Sequence, residues 1–169
     1  MRIPVFVSCP TTLNREQNAA RQRLIREIEQ LGLEPRALGR SDYPTDYPLR
    51  EVAVIAKHCS GGVILGFEQI VASAGVRKRG TKAESKITKP VLFPSSWNHL
   101  EAGILFGLKL PLLVFKEKGI EGGVFDNGVT DAFVHAMPPA RMTVVERDAL
   151  TAVFLKWQGK VREHYYRDE

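Results

Sequence analysis

The segment PLREVAVIAKHCSGGVILGF, Pro48 to Phe67, changes its hydrophobic period partway along. Up to about His58, the apolar residues Leu49, Val52, Ile55 and Ala56 recur at helical spacing, as they do on a helix with one buried face. GGVILGF then runs apolar without a break and reads as a strand buried on both sides. A helix feeding directly into such a strand is the repeating unit of a parallel α/β sheet.

The flanking segments repeat that unit. IPVFVSC, Ile3 to Cys9, is short, apolar and β-branched, and Pro10 ends it. From about Leu13 to Leu31 the apolar spacing is helical again, at Leu24, Ile28 and Leu31, and Gly32 closes the helix. LEPRAL is a weaker second strand, and the turn-rich GRSDYPTDYP after it is a loop. Beyond Phe67, nearly thirty residues show no strong pattern, as expected of a binding loop or lid. A helix begins near Trp97, PLLVF is a fourth strand, KEKGIEGGVFDNG is a loop, and a closing helix spans about 145–165. The alternation predicts an α/β domain over 1–169: a parallel sheet of about five strands, covered on both faces and wound with right-handed crossovers. Ligands of such sheets bind beyond the carboxyl ends of the strands.

A chain of 169 residues that is 44% hydrophobic fits one domain and leaves little room for a second. It has no apolar run of membrane-spanning length, and its amino terminus enters a strand directly, so the expectation is a cytoplasmic protein without a membrane partner. Cys9 and Cys59 lie far apart and follow no metal-ligand spacing, which predicts reduced thiols and no metal site. The net charge of +5 is concentrated in RKRGTKAESKITKP, where Arg77, Lys78, Arg79, Lys82, Lys86 and Lys89 face a single Glu84. Such a cluster is either a solvated loop or a lid that attracts an anionic ligand such as a dinucleotide. Nucleic acid is not expected, because the segment lacks interleaved aromatic residues for base stacking.

One residue stands out. In SSWNHLEAGILFGLKLP, Ser95 to Pro111, helical spacing puts Trp97, Glu101, Ile104 and Leu108 on one stripe, so a carboxylate shares a face with apolar side chains. If Asn98 is the N-cap, Glu101 is the third helical residue and closes a variant capping box. The alternative is a catalytic acid in a partly dry pocket at the carboxyl edge of the sheet. Gly103 and Gly107 are expected to let this helix approach the sheet closely, and Trp97 to shield the carboxylate or stack on a flat ligand.

SSWNHLE resembles the segment of TIR-domain NAD-cleaving enzymes in which serine precedes tryptophan and the catalytic glutamate follows four residues after it. EAGILFGLKLP, with Glu101, Gly103, Gly107 and Pro111, is similar to the corresponding segment of the related nucleoside 2-deoxyribosyltransferases. VFVSCP looks like the first strand and loop of the TIR enzymes. The chain departs from both patterns, with Ser95 where the transferases usually have aspartate and Asn98 where typical TIR domains have cysteine. The resemblance covers roughly residues 3 to 116.

It implies a flavodoxin-like three-layer sandwich with Glu101 as the catalytic residue, stabilising or attacking an oxocarbenium-like C1' of ribose. NAD is then substrate, not cofactor, and no cofactor is expected. Nicotinamide departs neutral from a pyridinium and needs no general acid, whereas a purine or pyrimidine usually does. Substrate contacts are expected from Ser8 and Cys9 at the end of the first strand, from Arg40 and Asp42 in the loop after Leu38, from Phe67, and from Ser96, Trp97 and Asn98. For several of these a structural role competes: strand termination for Ser8 and Cys9, a turn ion pair for Arg40 and Asp42, packing for Phe67. Glu68 could reach a ribose hydroxyl or be solvated, while His58 and His99 are expected to be structural. The resemblance further implies a homo-oligomer, and a nucleotide product read by a separate effector protein, for example in antiphage defence. A nucleoside N-glycosidase or deoxyribosyltransferase is the second reading and a non-catalytic assembly module the third.

Overall fold

The computed structural model describes residues 2–37 and 47–167. Five strands form one parallel sheet: β1 (Ile3–Ser8), β2 (Leu33–Arg36), β3 (Gly62–Gly66), β8 (Leu112–Lys116) and β9 (Val134–Ala136), in the order β2-β1-β3-β8-β9. This is the flavodoxin-like order, in which successive connections run outward in both directions from the middle of the sheet and leave a switch point between β1 and β3. Pro35 sits in β2, at the sheet's edge, where a missing N–H costs no ladder bond. The fifth strand, β9, lies in a stretch that the sequence pattern left unassigned; it is three residues long and pairs on one side with β8.

Strand periodicity divides the core. Val5, Val7, Val63, Leu65, Leu113 and Phe115 face one way, against α1 (Arg15–Gln30) and α4 (Val144–Arg167). Phe6, Ile64, Leu112 and Val114 face the other way, against α2 (Pro48–Lys57) and α3 (Ser96–Gly107). The sheet is therefore buried on both faces and the architecture is a three-layer sandwich, which is why its strands read as unbroken apolar runs. α1 and α4 both start on capping boxes. Asn14 Oδ1 accepts from Gln17 N at 2.9 Å and Thr143 Oγ1 from Glu146 N at 3.2 Å, with each partner side chain returning the bond.

The interval after Phe67 is not the irregular loop expected. β4 (Ile70–Ala72) pairs antiparallel with β7 (Val91–Phe93), and β5 (Gly75–Arg77) with β6 (Ser85–Ile87). The result is an interrupted two-stranded arm whose tip carries the basic cluster. Glu84, the one acid there, accepts from Gly80 N at 2.6 Å, and Thr81 donates to Lys78 O at 2.8 Å, so the tip is folded on itself.

The seating of α3 also corrects the sequence reading. A Cβ on Gly103 or Gly107 would have nothing within 4 Å, so these glycines face away from the sheet. Close approach is provided from the sheet side instead: a Cβ on Gly62 would lie 2.7 Å from Leu105 of α3, and one on Gly66 would lie 2.4 Å from the Phe125 ring. Gly103→Ala should therefore stabilise the fold by up to about 1 kcal/mol through helix propensity. Gly66→Ala, meeting a rigid ring, should destabilise it by about 1 to 3 kcal/mol. Equilibrium unfolding in denaturant reads both, and a destabilising Gly103→Ala would contradict the placement.

Candidate active site

α3 starts one turn earlier than a cap at Asn98 requires. Ser95 is the N-cap, its Oγ accepting from Trp97 N at 3.2 Å. Glu101 is thus the sixth helical residue, beyond the reach of capping, and the capping-box explanation of this acid fails. The inward face of the helix carries Asn98, Glu101, Ala102 and Leu105. Trp97 is 41% exposed and Ile104 half-buried, so the stripe inferred from the sequence is rotated: Glu101 points inward and the tryptophan borders it from outside.

Asn98, 1% exposed, anchors this face. Its Nδ2 donates to Ser8 Oγ at 2.8 Å and lies 3.4 Å from the carbonyl oxygens of both Ser8 and Leu65. Two carbonyls can only face an NH2 group, which fixes the orientation of the amide. These partners end β1 and β3, so the site lies at the switch point of the sheet. Asn98 Oδ1 is buried and has no hydrogen-bond partner among the described residues. Buried acceptors of that kind are rare, and this one suits a ligand hydroxyl or amide.

Ser8 is fully buried and its Oγ accepts from Asn98 Nδ2, which leaves its own proton for the Glu101 carboxyl. Glu101 is 9% exposed. Burial pushes its carboxyl up from 4.5 to about 7, against a smaller downward pull from the Ser8 hydroxyl. A carboxyl group in that range divides between charged and neutral forms at physiological pH, which suits either electrostatic stabilisation or proton transfer.

The remaining expected contacts separate into three groups. Ser96 and Trp97 are exposed at the start of α3, on the rim of the site. Cys9 and Phe67 belong to the opposite face of the sheet. Phe67 is fully buried in the core beneath α1 and α4 and cannot sandwich a base, and Cys9 opens on a cleft between α1 and β2 with Arg21, Ile25 and Pro35. Packing is the role that the structure gives Phe67. Arg40 and Asp42 lie outside the described residues. His99 sets its ring edge-on to Phe125 at 5.5 Å, a packing role. Among the described residues no group of three or more His, Cys, Asp or Glu side chains is placed to share a metal ion, and no helix is long and apolar enough to cross a membrane.

Sequence reasoning missed a second polar clamp at the same edge. Glu117, just after β8, accepts from Glu68 N at 2.6 Å and from Gln17 Nε2 at 3.1 Å, and Gln17 Nε2 also lies 3.2 Å from Glu68 O. Glu68 is held through its backbone, so the loop leaving β3 is tied to α1 and to β8. The Asn-x-x-Gln spacing of Asn14 and Gln17 could have drawn attention to Gln17; nothing in the sequence links it to Glu117.

A scan of family models, curated proteins and solved structures finds no match to this chain.

The displaced titration of Glu101 has a stability consequence of definite sign. Below about pH 4.5 the carboxyl is neutral in both the folded and the unfolded chain. As pH rises toward 7 the unfolded chain ionises first, so folded stability falls, and the loss is complete once pH passes the folded value. At about 1.4 kcal/mol per pH unit the loss is on the order of 3 kcal/mol at most. Glu101→Gln, neutral at every pH, should melt higher than the parent at pH 8.5, and the advantage should vanish by pH 4. A variant no more stable than the parent at pH 8.5 would show that the carboxyl is not held in a dry site.

Proposed function

We propose that the chain cleaves the bond between nicotinamide and ribose in NAD, with Glu101 as the carboxylate that meets the developing positive charge at C1'. The observation that supports this most directly is a carboxyl group buried at the switch point of a parallel sheet beside Ser8 and Asn98. NAD brings a pyridinium to that site. A cation within about 4–6 Å favours the charged carboxylate, so substrate binding offsets the desolvation that raises the carboxyl in the free protein. Charge then moves from the nitrogen to C1' and the ring oxygen as the bond breaks, and a carboxylate already in a low-dielectric pocket stabilises it with little reorganisation. Asn98 Oδ1 is the acceptor for a ribose hydroxyl, Trp97 the platform for a flat ring, and the basic arm the source of attraction for the diphosphate. The family resemblance of Ser95 to Pro111 points to the same reaction. Product signalling to a separate effector, and assembly into a homo-oligomer, belong to this reading as well.

A second reading draws on the same titration. A carboxyl poised near 7 can also deliver a proton, which the departure of a purine or pyrimidine requires, so a nucleoside or nucleotide N-glycosidase or deoxyribosyltransferase is the alternative. The pH profile separates the two. Acting as a carboxylate on NAD, Glu101 gives kcat/KM that rises with pH to a plateau above about 7, whereas a general acid gives kcat/KM that falls through the same range. The protein should release nicotinamide from NAD with the rising limb, and Glu101→Gln should lose at least about a hundredfold in kcat. Free base from deoxynucleosides with a falling limb would establish the alternative, and no product from either substrate at any protein concentration would leave an assembly module.

A further inference from the structure

The amino-terminal edge of the sheet, opposite Glu101, carries a cleft that the proposed chemistry does not use. It lies between α4 and the segment leading into β9, with a volume of about 270 Å³. Leu113, Val153 and the ring of Trp157 line its apolar floor. Lys156 and Lys160, one helical turn apart on α4, stand on one side, and Asp131 and Phe133 on the other. A second compartment of about 260 Å³ shares Leu112, Asp131, Ala132 and Lys160 with the first, and extends the cleft to Lys109 and Arg167.

Charge and shape in this cleft are matched to one class of ligand. The cations Lys109, Lys156, Lys160 and Arg167 outnumber the carboxylates Asp131 and Glu163, and Glu163 is paired with Arg167. His135, half-buried on the floor, is held below the ordinary imidazole range by burial, so it is neutral at pH 7 and offers hydrogen bonding, not charge. Lys109, just past the end of α3, adopts φ of +58°, a left-handed conformation that is usually taken by glycine where a helix ends in it. A lysine kept there at an energetic cost, at the mouth of a basic cleft, fits a role for its ammonium group. Phe133, largely exposed at the rim, is placed to cover the flat face of a bound ring.

We infer that this cleft binds a small organic anion made of a flat apolar body and a single phosphate or similar group, with the ring over Trp157 and Val153 and the anion between Lys156 and Lys160. The two compartments together reach the size of a small-molecule site. The inference stands independently of the reaction at Glu101. Its wall is nevertheless linked to the catalytic helix, because the segment holding Asp131 and Phe133 follows directly on Phe125, whose ring meets His99 of α3.

The two tryptophans make the test direct, since one borders each site. The indole N–H of Trp157 donates to Pro111 O at 2.9 Å, and its resonance in a nitrogen-15 correlation spectrum is distinguished from that of Trp97 by a Trp97→Phe variant. Titration of the full chain with phenyl phosphate should move the Trp157 resonance along a saturable curve while that of Trp97 stays in place. Replacing both exposed lysines, Lys156→Ala with Lys160→Ala, should weaken binding roughly tenfold through loss of charge-assisted contacts. No saturable shift by about 10 mM, a limit weaker than most specific small-ligand binding, would overturn the inference. So would equal affinity in the α4 double variant, or a shift confined to Trp97.

Discussion

The Nδ2 group of Asn98 donates to the Ser8 hydroxyl and faces the carbonyls of Ser8, at the end of β1, and Leu65, next to the end of β3, so one side chain of α3 crosslinks the two strands that flank the switch point. Its burial admits no other arrangement, since a buried NH2 and two strand-end carbonyls must satisfy one another. Asn98 and Glu101 are three residues apart, close to one helical turn, so a rotation that aims the amide at the sheet also aims the carboxyl there. Glu101 is held in a dry position because its neighbour one turn earlier has partners to reach. The burial of an ionisable group, costly by itself, is carried by the amide network and by Leu105 fitting over Gly62.

Around this anchor, the edge is assembled from distant parts of the chain. Gln17 at the start of α1, Glu68 after β3 and Glu117 after β8 share one set of hydrogen bonds, which fixes the spacing of the loops that surround the site. The antiparallel arm leaves from that clamp and returns through β7 directly into Ser95, the cap of α3. Its cations are carried on an ordered support joined at both ends to the site. That geometry differs from the irregular segment, solvated loop or lid, expected from the sequence.

What the sequence revealed followed from burial. GGVILGF and PLLVF lie between two helical layers and are apolar at every position, so period and length identify them. Glu101 was conspicuous for the same reason, as an acid in an apolar context. The start of α3 near Trp97 was legible, but not its cap, because Ser95 and Asn98 are both good N-caps and only the bond from Trp97 N to Ser95 Oγ decides between them. The arm was illegible because its strands are three residues long and mostly solvent-facing, too short to show a period on either side of the charged tip. Gly103 and Gly107 invited a packing argument that belongs to Gly62 and Gly66, since spacing along a helix does not say which side faces the sheet. Glu117 was missed because it meets Gln17 across 100 residues of chain, a relation that no local pattern carries.

The account depends on the environment of one carboxyl group, and that group can be titrated directly. With glutamate side-chain carboxyls labelled with carbon-13, the resonance of Glu101 is identified by its absence from Glu101→Gln and followed from pH 3 to 9. A midpoint near 7, well separated from the solvent-exposed glutamates, is the result that a buried Glu101 beside Ser8 and Asn98 requires. A midpoint near 4.5, together with the others, would place the carboxylate in water and remove the basis for the site.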